Sequence, residues 1–259
     1  MIKLEKIKEE RKKNKITFMM KGSDEVFANT VRRMIIEEVP TLAVENLEIK
    51  ENNSALYDEM LGLRLGLTPI KTDLKSYELK QNCKCNGEGC ARCELKMTLK
   101  ASKKGYVYAE EAKSTDPKCT FAYPTMPIVK LLGKQKIDIQ MTAVLGQGKE
   151  HTKWTPGLAS YRKEAALKVG DVKDTKLVME NCTDGVFELK GSKLSLDKEK
   201  MAESNLLEYY AELDKGITLE YTDNIIFSLE SWGQLSNKEI LVTAMEMLIG
   251  KVETLEQLI

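Results

Sequence analysis

The sequence predicts an α+β protein in which both chain ends contribute strands and a helix to one domain, with a mainly β segment inserted between them. The N-terminal quarter has alternating apolar residues followed by an amphipathic helix pattern. The C-terminal quarter repeats the same order, and the middle carries short strand-like runs and four closely spaced cysteines. These observations favour a half-sheet with helices at each end, interrupted by an insertion.

The N-terminal quarter predicts a β-hairpin and then a helix. Apolar residues alternate over 2–4 and 16–20, on either side of the charged segment 8–15, which we interpret as a solvated hairpin loop. Ser23 or Asp24 is the expected N-cap of the helix that follows, because both side chains can accept a hydrogen bond from the first helical turn.

The predicted first helix covers residues 25–39 and ends before a proline. Its apolar face contains Phe27, Val31 and Ile35. Arg32 and Arg33 are adjacent on this helix. They fit either a solvated face or a contact with the carboxylates or backbone of a partner.

The last quarter predicts two further strands and a long helix. Alternation over 217–221 and over 225–229 is separated by Asp223-Asn224, a pair typical of a hairpin turn. Gly233 is expected to end the second strand, and residues 236–239 form a capping box.

The helix after this capping box carries a heptad seam of apolar residues. Additional apolar residues lie outside the seam, so one sheet leaves part of the helix surface uncovered. An ordinary core helix and a helix shared with another subunit both fit this periodicity. The seam consists of Leu241, Met245, Leu248, Val252, Leu255 and Ile259.

The middle of the chain has a less regular pattern. We expect short strands and turns over 46–82, including DEMLGLRLGLTPI, and strands again over 105–145. The polar segment 170–216 predicts short strands followed by a helical stretch. The expected strands are Leu177–Met179, Val186–Leu189 and Leu194–Leu196, and the helical stretch is Ala202–Leu213.

Composition excludes several classes of protein. The 259 residues include 40 Lys+Arg and 40 Asp+Glu, and this balance argues against a free-standing nucleic-acid binder. The apolar stretches are too short to span a bilayer and the N-terminus lacks the apolar core of a secretory signal, so we expect a cytoplasmic protein without membrane contact.

Catalytic motifs are also missing from the sequence. With one histidine, His151, the chain has no H-E-x-x-H zinc site, and a serine triad lacks its G-x-S-x-G elbow. The sequence contains neither a phosphate-binding P-loop nor a G-x-G-x-x-G motif opening a helix. Its carboxylates are dispersed, without the D-x-D-x-D loop that would hold Mg²⁺ for phosphoryl transfer. We therefore expect no catalytic site in this chain.

The segment CKCNGEGCARC has the strongest local signal for a metal site. Its spacing, C-x-C-x4-C-x2-C, matches a tetrahedral knuckle, with glycines that let the loop fold back. Four thiolates leave no open coordination position, so one zinc ion here would be structural. An iron–sulfur cluster and unmetallated thiols are the alternatives. The expected ligands are Cys83, Cys85, Cys90 and Cys93; Cys119 and Cys182 are expected to be packed as small hydrophobes.

Three blocks of sequence, in family order, resemble the α-like assembly subunits of DNA-directed RNA polymerase in their archaeal and eukaryotic form. The first contains FANTVRR, EEVPT and the DE-LGLRLGL-P pattern. The three blocks are FANTVRRMIIEEVPTLAVENLEIKENNSALYDEMLGLRLGLTPI (residues 27–70), YPTMPIVKLLGKQKIDIQMTAVLGQGKEHTKWTP (residues 123–156) and FSLESWGQLSNKEIL (residues 227–241).

This resemblance implies a scaffold role. Such subunits pair with a smaller α-like subunit, called L in archaea, and the pair is the platform for the two large catalytic subunits and the small assembly subunits. DNA would be reached only through the complex, which as a whole is a nucleotidyltransferase. The resemblance implies a dimerisation domain (1–46 plus 210–259), an insert domain with the knuckle (47–165) and a small third lobe (166–209).

The resemblance also assigns roles by position. The heterodimer core would be built by Phe27, Val31 and Ile35 together with the seam residues Leu241, Met245, Leu248, Val252 and Leu255. Arg32 and Arg33 occupy the paired-arginine position and are candidates for contacting the second-largest subunit. The loop 146–154 is a candidate for inter-subunit contact through Lys149, Glu150, His151 and Trp154.

The third lobe departs from the family pattern. Many archaeal relatives carry a ferredoxin-like cysteine set in the segment that corresponds to 170–210, whereas this chain has only Cys182 there. One thiolate cannot hold a cluster that needs three or four, so we expect no iron–sulfur cluster. The alternative function is a stand-alone zinc-dependent nucleic-acid-binding module, which predicts salt-sensitive binding of DNA or RNA by the isolated chain.

Overall fold

The computed structural model describes residues 2–191 and 193–259. Within these residues the strands are β1 (Lys3–Glu10), β2 (Lys15–Lys21), β3 (Thr41–Asn52), β4 (Leu95–Ala101), β5 (Gly105–Tyr108), β6 (Lys113–Ser114), β7 (Pro127–Leu131), β8 (Ile137–Gly146), β9 (Gly157–Val169), β10 (Phe187–Lys190), β11 (Lys193–Leu196) and β12 (Ile217–Ser231). The α-helices of the same residues are α1 (Glu25–Arg33), α2 (Asp58–Leu67), α3 (Thr175–Asn181), α4 (Lys198–Glu203), α5 (Leu207–Leu213) and α6 (Asn237–Glu256). The predicted α+β class is confirmed.

The chain divides into two compact units. Unit 1 comprises Met1–Arg32 and Ala159–Leu229, and unit 2 comprises Arg33–Leu158 and Glu230–Ile259. Each unit is therefore assembled from two separate stretches of chain. The three-part division at 46/47, 165/166 and 209/210 stays a prediction.

Unit 1 contains a four-stranded sheet in the order β1-β2-β12-β9. The predicted N-terminal hairpin is confirmed: β1 and β2 pair antiparallel, and Asn14 in the connecting turn adopts a left-handed conformation with φ 51°. Phe18 on β2 stacks on Phe227 of β12 with a centroid distance of 5.3 Å. The sheet thus joins the N-terminal hairpin to two strands from the second half of the chain.

The predicted turn at Asp223-Asn224 is wrong, because β12 continues without interruption from Ile217 to Ser231. Two neighbouring side chains anchor this stretch to β9: Thr222 Oγ1 and Asn224 Nδ2 donate to Glu164 Oε2 at 2.7 and 2.8 Å. Hydrogen bonds within the sheet therefore override the turn preference of the dipeptide.

The small lobe of unit 1 is built from α3, the β10–β11 hairpin, α4 and α5. Leu177–Met179 was predicted as a strand and is helical, because Asp174 caps α3 by accepting the Leu177 N–H at 3.0 Å. Phe187 and Tyr210 are buried in the lobe with an edge-to-face contact at 5.3 Å between ring centroids. The apolar core of the lobe also includes Leu167 of β9 and Ile217 of β12.

Unit 2 contains a second four-stranded sheet, in the order β3-β8-β4-β6, and the two-stranded β5–β7 sheet. One face of these strands packs on a large core that includes Leu95, Leu99 and Ile139, all fully buried. The segment DEMLGLRLGLTPI, predicted as strands and turns, is largely helix α2. Its Leu61 and Leu65, four residues apart, both enter this core, which requires helical spacing.

The first and last helices follow the sequence prediction closely. Asp24 caps α1 by accepting the Phe27 N–H at 2.7 Å, and α1 continues directly into a π-helix, Met34–Glu38. Ser236 and Glu239 form the predicted capping box of α6, preceded by Gly233 with φ +88°. In the described part of the chain, no helix has both the length and the apolar character needed to cross a bilayer.

Candidate metal centre and assembly surface

The four cysteines of the knuckle converge on one point. Their Sγ atoms all lie within 4.8 Å of one another, and the shorter separations are 3.4 Å (Cys83–Cys85), 3.5 Å (Cys83–Cys90 and Cys85–Cys93) and 3.8 Å (Cys90–Cys93). A tetrahedral ion with metal–sulfur bonds of about 2.3 Å requires sulfur separations of about 3.8 Å. The sulfur atoms are thus spaced for one metal ion.

Backbone turns bring the sulfur atoms together. The Asn86 N–H donates to Cys83 O at 3.0 Å, and the Glu94 N–H donates to Cys90 O at 2.8 Å, so each cysteine pair sits in its own turn. Gly89 has φ +98°, and a Cβ there would lie 2.8 Å from the Glu94 carboxylate. Only glycine fits this position without strain.

Hydrogen bonds and burial shift the pKa values of two knuckle thiols in opposite directions. The Gly89 backbone N–H, followed by the Cys83 side chain, lowers the pKa of Cys85 to about 6, whereas burial raises the pKa of Cys93 to about 12. The Cys90 N–H also donates to Cys93 Sγ at 3.2 Å. Since metal ligation needs thiolates, binding of an ion has to release the remaining protons.

A carboxylate braces the knuckle from outside. The Glu94 carboxylate forms ion pairs with Lys80 Nζ at 2.8 Å and with Lys96 Nζ at 2.9 Å. These contacts hold the pKa of the Glu94 carboxyl below its ordinary value. The other two cysteines lie elsewhere: Cys119 is buried in the core of unit 2, and Cys182 accepts the Phe187 N–H in unit 1.

The predicted interface residues on the first helix differ in exposure. Val31 and Ile35 are buried and Phe27 is half-buried. The two arginines have partners within the helix itself: Arg32 donates to Asn29 Oδ1 at 2.9 Å, and Arg33 makes a two-bond contact with Glu37 at 2.9 and 3.0 Å. Each guanidinium is therefore held in a fixed orientation.

Helix α6 is buried at its start and exposed at its end. Ile240 and Ala244 are fully buried, whereas every residue from 251 to 259 is exposed. The seam follows this gradient. Leu241, Met245 and Leu248 are half-buried, and Val252 and Leu255 are each 57% exposed. The second half of the seam thus presents aliphatic side chains to solvent.

The loop 146–154 has an exposed rim and a buried base. Lys149, Glu150 and His151 are exposed, whereas Trp154 is buried and donates its indole N–H to Val144 O at 3.2 Å. His151 Nδ1 accepts the Lys153 N–H at 3.0 Å. Three of the four predicted contact residues of this loop are therefore available at the surface.

The sequence is similar to a known protein family along most of its length. The profile of the RNA polymerase Rpb3/RpoA insert domain matches residues 47–160. DNA-directed RNA polymerase subunit Rpo3 of Methanosarcina acetivorans is 32% identical over 241 residues, covering 91% of each chain. The Rpo3 subunit of Archaeoglobus fulgidus is 32% identical over 252 residues, covering 96% of each chain.

The chain belongs to the Rpo3 family of archaeal DNA-directed RNA polymerase subunits. The resemblance of its three sequence blocks to the archaeal α-like assembly subunits is thereby confirmed. A third relative, Rpo3 of Methanosarcina mazei, is 34% identical and covers 92% of this chain. The Rpo3 similarity therefore extends over both units and includes the small lobe.

One residue that the sequence analysis missed organises unit 2 of this Rpo3 chain. The buried Glu38 carboxylate accepts a hydrogen bond from Lys251 Nζ of α6 at 2.6 Å. It also accepts hydrogen bonds from two residues of the loop 146–154, Lys149 Nζ and Gln147 Nε2, each at 3.2 Å. Burial opposes ionisation of Glu38, but the two lysines outweigh it and hold the pKa of its carboxyl below the ordinary value. Sequence offered no signal, because Glu38 lies in a charged pair within a helix.

The π-helix before Pro40 explains the position of the loop. Carbonyl groups at its end are bound by loop residues: the Lys149 N–H donates to Glu37 O at 3.1 Å, and Gln147 Nε2 donates to Glu38 O at 2.8 Å. A Cβ at Gly148 would lie 1.9 Å from Ile36 O, so glycine allows the two backbones to approach. The loop is thus the C-terminal cap of the first helix.

Proposed function

We propose that this chain is a non-catalytic assembly subunit of an archaeal-type RNA polymerase and that it pairs with the small α-like subunit L. The observation that supports this most strongly is the exposed aliphatic end of α6, where Val252 and Leu255 are each 57% accessible. A soluble chain gains by covering such a surface. In the proposal L covers the seam Leu241–Leu255 and contacts the half-buried Phe27 of the first helix, while Val31 and Ile35, which are buried within the chain, hold that helix in place.

The same proposal gives further contacts to the rest of the enzyme. Arg32 and Arg33 would bind the second-largest subunit, since pre-oriented guanidinium groups lose little entropy on binding a carboxylate or a carbonyl. Exposed Lys149, Glu150 and His151 would contact a large or a small assembly subunit. DNA would be reached through the complex, in the cytoplasm, without a membrane.

For the knuckle we propose one structural zinc ion held by Cys83, Cys85, Cys90 and Cys93. The sulfur spacing supports a single ion over a cubane cluster, whose cysteines each bind a different iron and so lie further apart. Zinc would cross-link the two turns of the knuckle, and no coordination position would remain open for catalysis. We propose that the chain carries no iron–sulfur cluster, because Cys182 is the only cysteine in the small lobe.

The seam is tested by Val252→Asp and Leu255→Asp. Since both side chains are exposed in the chain alone, we expect the variants to fold normally. In the complex each would bury an unpaired carboxylate, so co-purification of L should fall about tenfold or more. We expect the same loss with Leu241→Asp and Leu248→Asp, although these half-buried positions also affect the chain's own packing.

Thr254→Asp is the control, because Thr254 is exposed at the same end of α6 but lies about 160° around the helix from Val252. It should retain L. The measurement is native mass spectrometry of the tagged chain purified from its own cells. It detects the complex with L and, in the same spectrum, the additional mass of about 65 Da from bound zinc. Wild-type retention of L by both seam variants would contradict the assigned interface, and a bare monomer from wild-type cells would contradict the assembly role.

A further inference from the structure

The loop of the metal knuckle contains the only Asn-Gly dipeptide of the sequence, Asn86-Gly87, between Cys85 and Cys90. Asparagine is a chemically labile residue, because the backbone nitrogen of the next residue can attack its side-chain carbonyl carbon. Glycine leaves this nitrogen accessible, since it has no Cβ. The knuckle therefore contains the pair of residues in which this reaction is sterically easiest.

A tight turn explains why this dipeptide is present. Asn86 and Gly87 are the central residues of a turn that is closed by the Glu88 N–H, which donates to Cys85 O at 3.1 Å. Their φ angles are 52° and 84°. Positive φ at both central positions is the mark of a type I′ turn, for which Asn-Gly is strongly preferred. The fold of the knuckle thus favours this dipeptide in spite of its reactivity.

The same turn keeps the two reacting atoms apart. In a type I′ turn the ψ angle of the first central residue is about +30°. Ring closure needs this ψ to rotate, so that the Gly87 nitrogen moves toward the Asn86 Cγ atom, and this rotation opens the turn. The Asn86 N–H also donates to Cys83 O at 3.0 Å, so Asn86 is held by hydrogen bonds on both sides. The reaction therefore requires local unfolding of the loop.

The Cys85 sulfur connects this turn to the metal centre. It accepts hydrogen bonds from the backbone N–H groups of Gly89 and Gly87. The Gly87 nitrogen is the atom that has to attack Asn86. A metal ion on the four knuckle cysteines, whose sulfur atoms lie within 4.8 Å of one another, would fix the sulfur to which this nitrogen is bound. Opening of the turn is therefore coupled to loss of the ion.

We propose that Asn86 is a deamidation site that the bound metal ion protects, and that its reaction after metal loss keeps the knuckle from taking the ion up again. The Gly87 nitrogen forms a bond to Asn86 Cγ, and the side-chain NH2 leaves as ammonia with the proton of that nitrogen. Water then opens the resulting succinimide ring. Attack at the side-chain carbonyl gives aspartate, and attack at the backbone carbonyl gives isoaspartate. Asn86 is exposed, so water reaches the ring.

Both products disfavour metal binding. Isoaspartate adds a methylene group to the backbone between Cys85 and Cys90, so the type I′ turn no longer closes. Either product places a new carboxylate beside the sulfur atoms, and a like charge disfavours their thiolate forms. Because neither product returns to asparagine without a source of ammonia, the reaction is a one-way record of metal loss. This inference rests on the proposed metal ion of the knuckle.

The test follows the full-length chain in reducing buffer at neutral pH, with and without a metal chelator. Peptide mass spectrometry measures the gain of about 1 Da at position 86, and elemental analysis measures the metal in the same samples. We expect deamidation to be about tenfold or more faster after chelation, because the turn then opens without breaking metal–sulfur bonds. Asn14 is the internal control: it also has positive φ, 51°, but Lys15 follows it, and its rate should stay low in both samples.

Asn86→Gly is the matched variant, because Gly-Gly also fits a type I′ turn and carries no side-chain amide. After long storage without metal it should still take up one ion per chain, whereas the deamidated wild-type chain should not. Equal deamidation rates with and without chelator, in a chain shown to hold one ion, would overturn the inference alone. Full metal uptake by the deamidated chain would also overturn it. If the purified chain holds no metal, the proposed zinc site is wrong, and protection by the ion is wrong with it.

Discussion

Glu38 connects three segments of unit 2 through one buried carboxylate. Its partners Lys149 and Lys251 are 47% and 55% exposed at their side chains, whereas the Glu38 side chain is only 9% exposed. The lysines can be rehydrated if the contact is lost, but the buried acceptor cannot. Loss of the contact should therefore lower the free energy of unfolding mainly because the Glu38 carboxylate would be left buried without a partner.

We predict that Glu38→Gln lowers the free energy of unfolding by about 1–3 kcal/mol at pH 7, because charge-assisted hydrogen bonds to a buried carboxylate are replaced by neutral ones. The pKa of Glu38 is lowered in the folded state, so its stabilising contribution is present above the ordinary carboxyl pKa and is lost as pH falls through the folded value. Urea unfolding at pH 7 and at about pH 3.5 measures both effects.

The deficit of Glu38→Gln should therefore shrink at the acidic pH. Glu110→Gln is the control, since Glu110 is an exposed carboxylate in the same unit. It should change stability by less than about 0.5 kcal/mol at either pH. An equal deficit for Glu38→Gln at both pH values would show that the contact with the lysines does not depend on charge.

Gly148 tests the packing of the loop against the π-helix. We predict that Gly148→Ala lowers the free energy of unfolding by about 2 kcal/mol or more, because the new Cβ would meet the Ile36 carbonyl at 1.9 Å. Gly133→Ala is the matched control, with no atom within 4 Å of its Cβ. Chemical denaturation of the two variants should separate them clearly; equal midpoints would mean that the loop moves away at little cost.

At the scale of elements, the terminal helices and the first hairpin could be predicted because local signals agree with the final packing. The Ser236–Glu239 capping box and the Asp24 cap both form as the sequence indicates. Helix α2 could not be predicted in this way. Leu61, Leu63, Leu65 and Leu67 alternate like a strand, and the helix is stabilised by packing across the unit that the local pattern does not contain.

The functional residues also divide into those that are close in sequence, which could be predicted, and those that are far apart in sequence, which could not. The four knuckle cysteines lie within eleven residues, so spacing alone predicted the cluster whose geometry fits one ion. The Glu38 contacts join residues 38, 149 and 251, which are far apart in sequence. Long-range polar contacts of this kind leave no periodic or spacing signal in a single sequence.

The knuckle gives a prediction about metal content. Cys90→Ser should abolish stoichiometric zinc, because a hydroxyl is a poor zinc ligand and the remaining three thiols leave the tetrahedron incomplete. Cys182→Ser, which changes a cysteine in unit 1, should retain one zinc per chain. Elemental analysis of the purified chains measures this directly. Full zinc in Cys90→Ser would exclude the cluster as the metal site.

At the scale of the whole molecule, two independent sources of local stability are expected. We expect the knuckle of unit 2 to depend on metal ligation, since its loop of glycine, asparagine and cysteine offers few apolar side chains. The small lobe of unit 1 depends on burial. Its core is formed by Leu167, Val178, Val186, Phe187, Leu194, Leu207, Tyr210 and Ile217.

A polar network completes the core of the small lobe. Tyr210 donates its hydroxyl to Asp184 Oδ1 at 2.7 Å, Ser204 donates to the other carboxylate oxygen, and the Val186 N–H binds Asp184 Oδ1 at 3.3 Å. Arg162 donates to Ser204 O at 2.7 Å and so satisfies a carbonyl just after α4. These contacts satisfy buried polar groups in a lobe that contains a single cysteine, Cys182.

We therefore predict that a metal chelator affects the two regions differently. In hydrogen exchange measured by mass spectrometry, chelation should speed the exchange of residues 80–95 by about tenfold or more and leave residues 175–213 unchanged, because only the knuckle loses ligands. Peptides from β1–β2 in unit 1 serve as an internal control for global unfolding. Chelator-sensitive exchange over 175–213 without a change in the β1–β2 peptides would mean that the small lobe holds a metal group after all and that its apolar core is not sufficient to fold it.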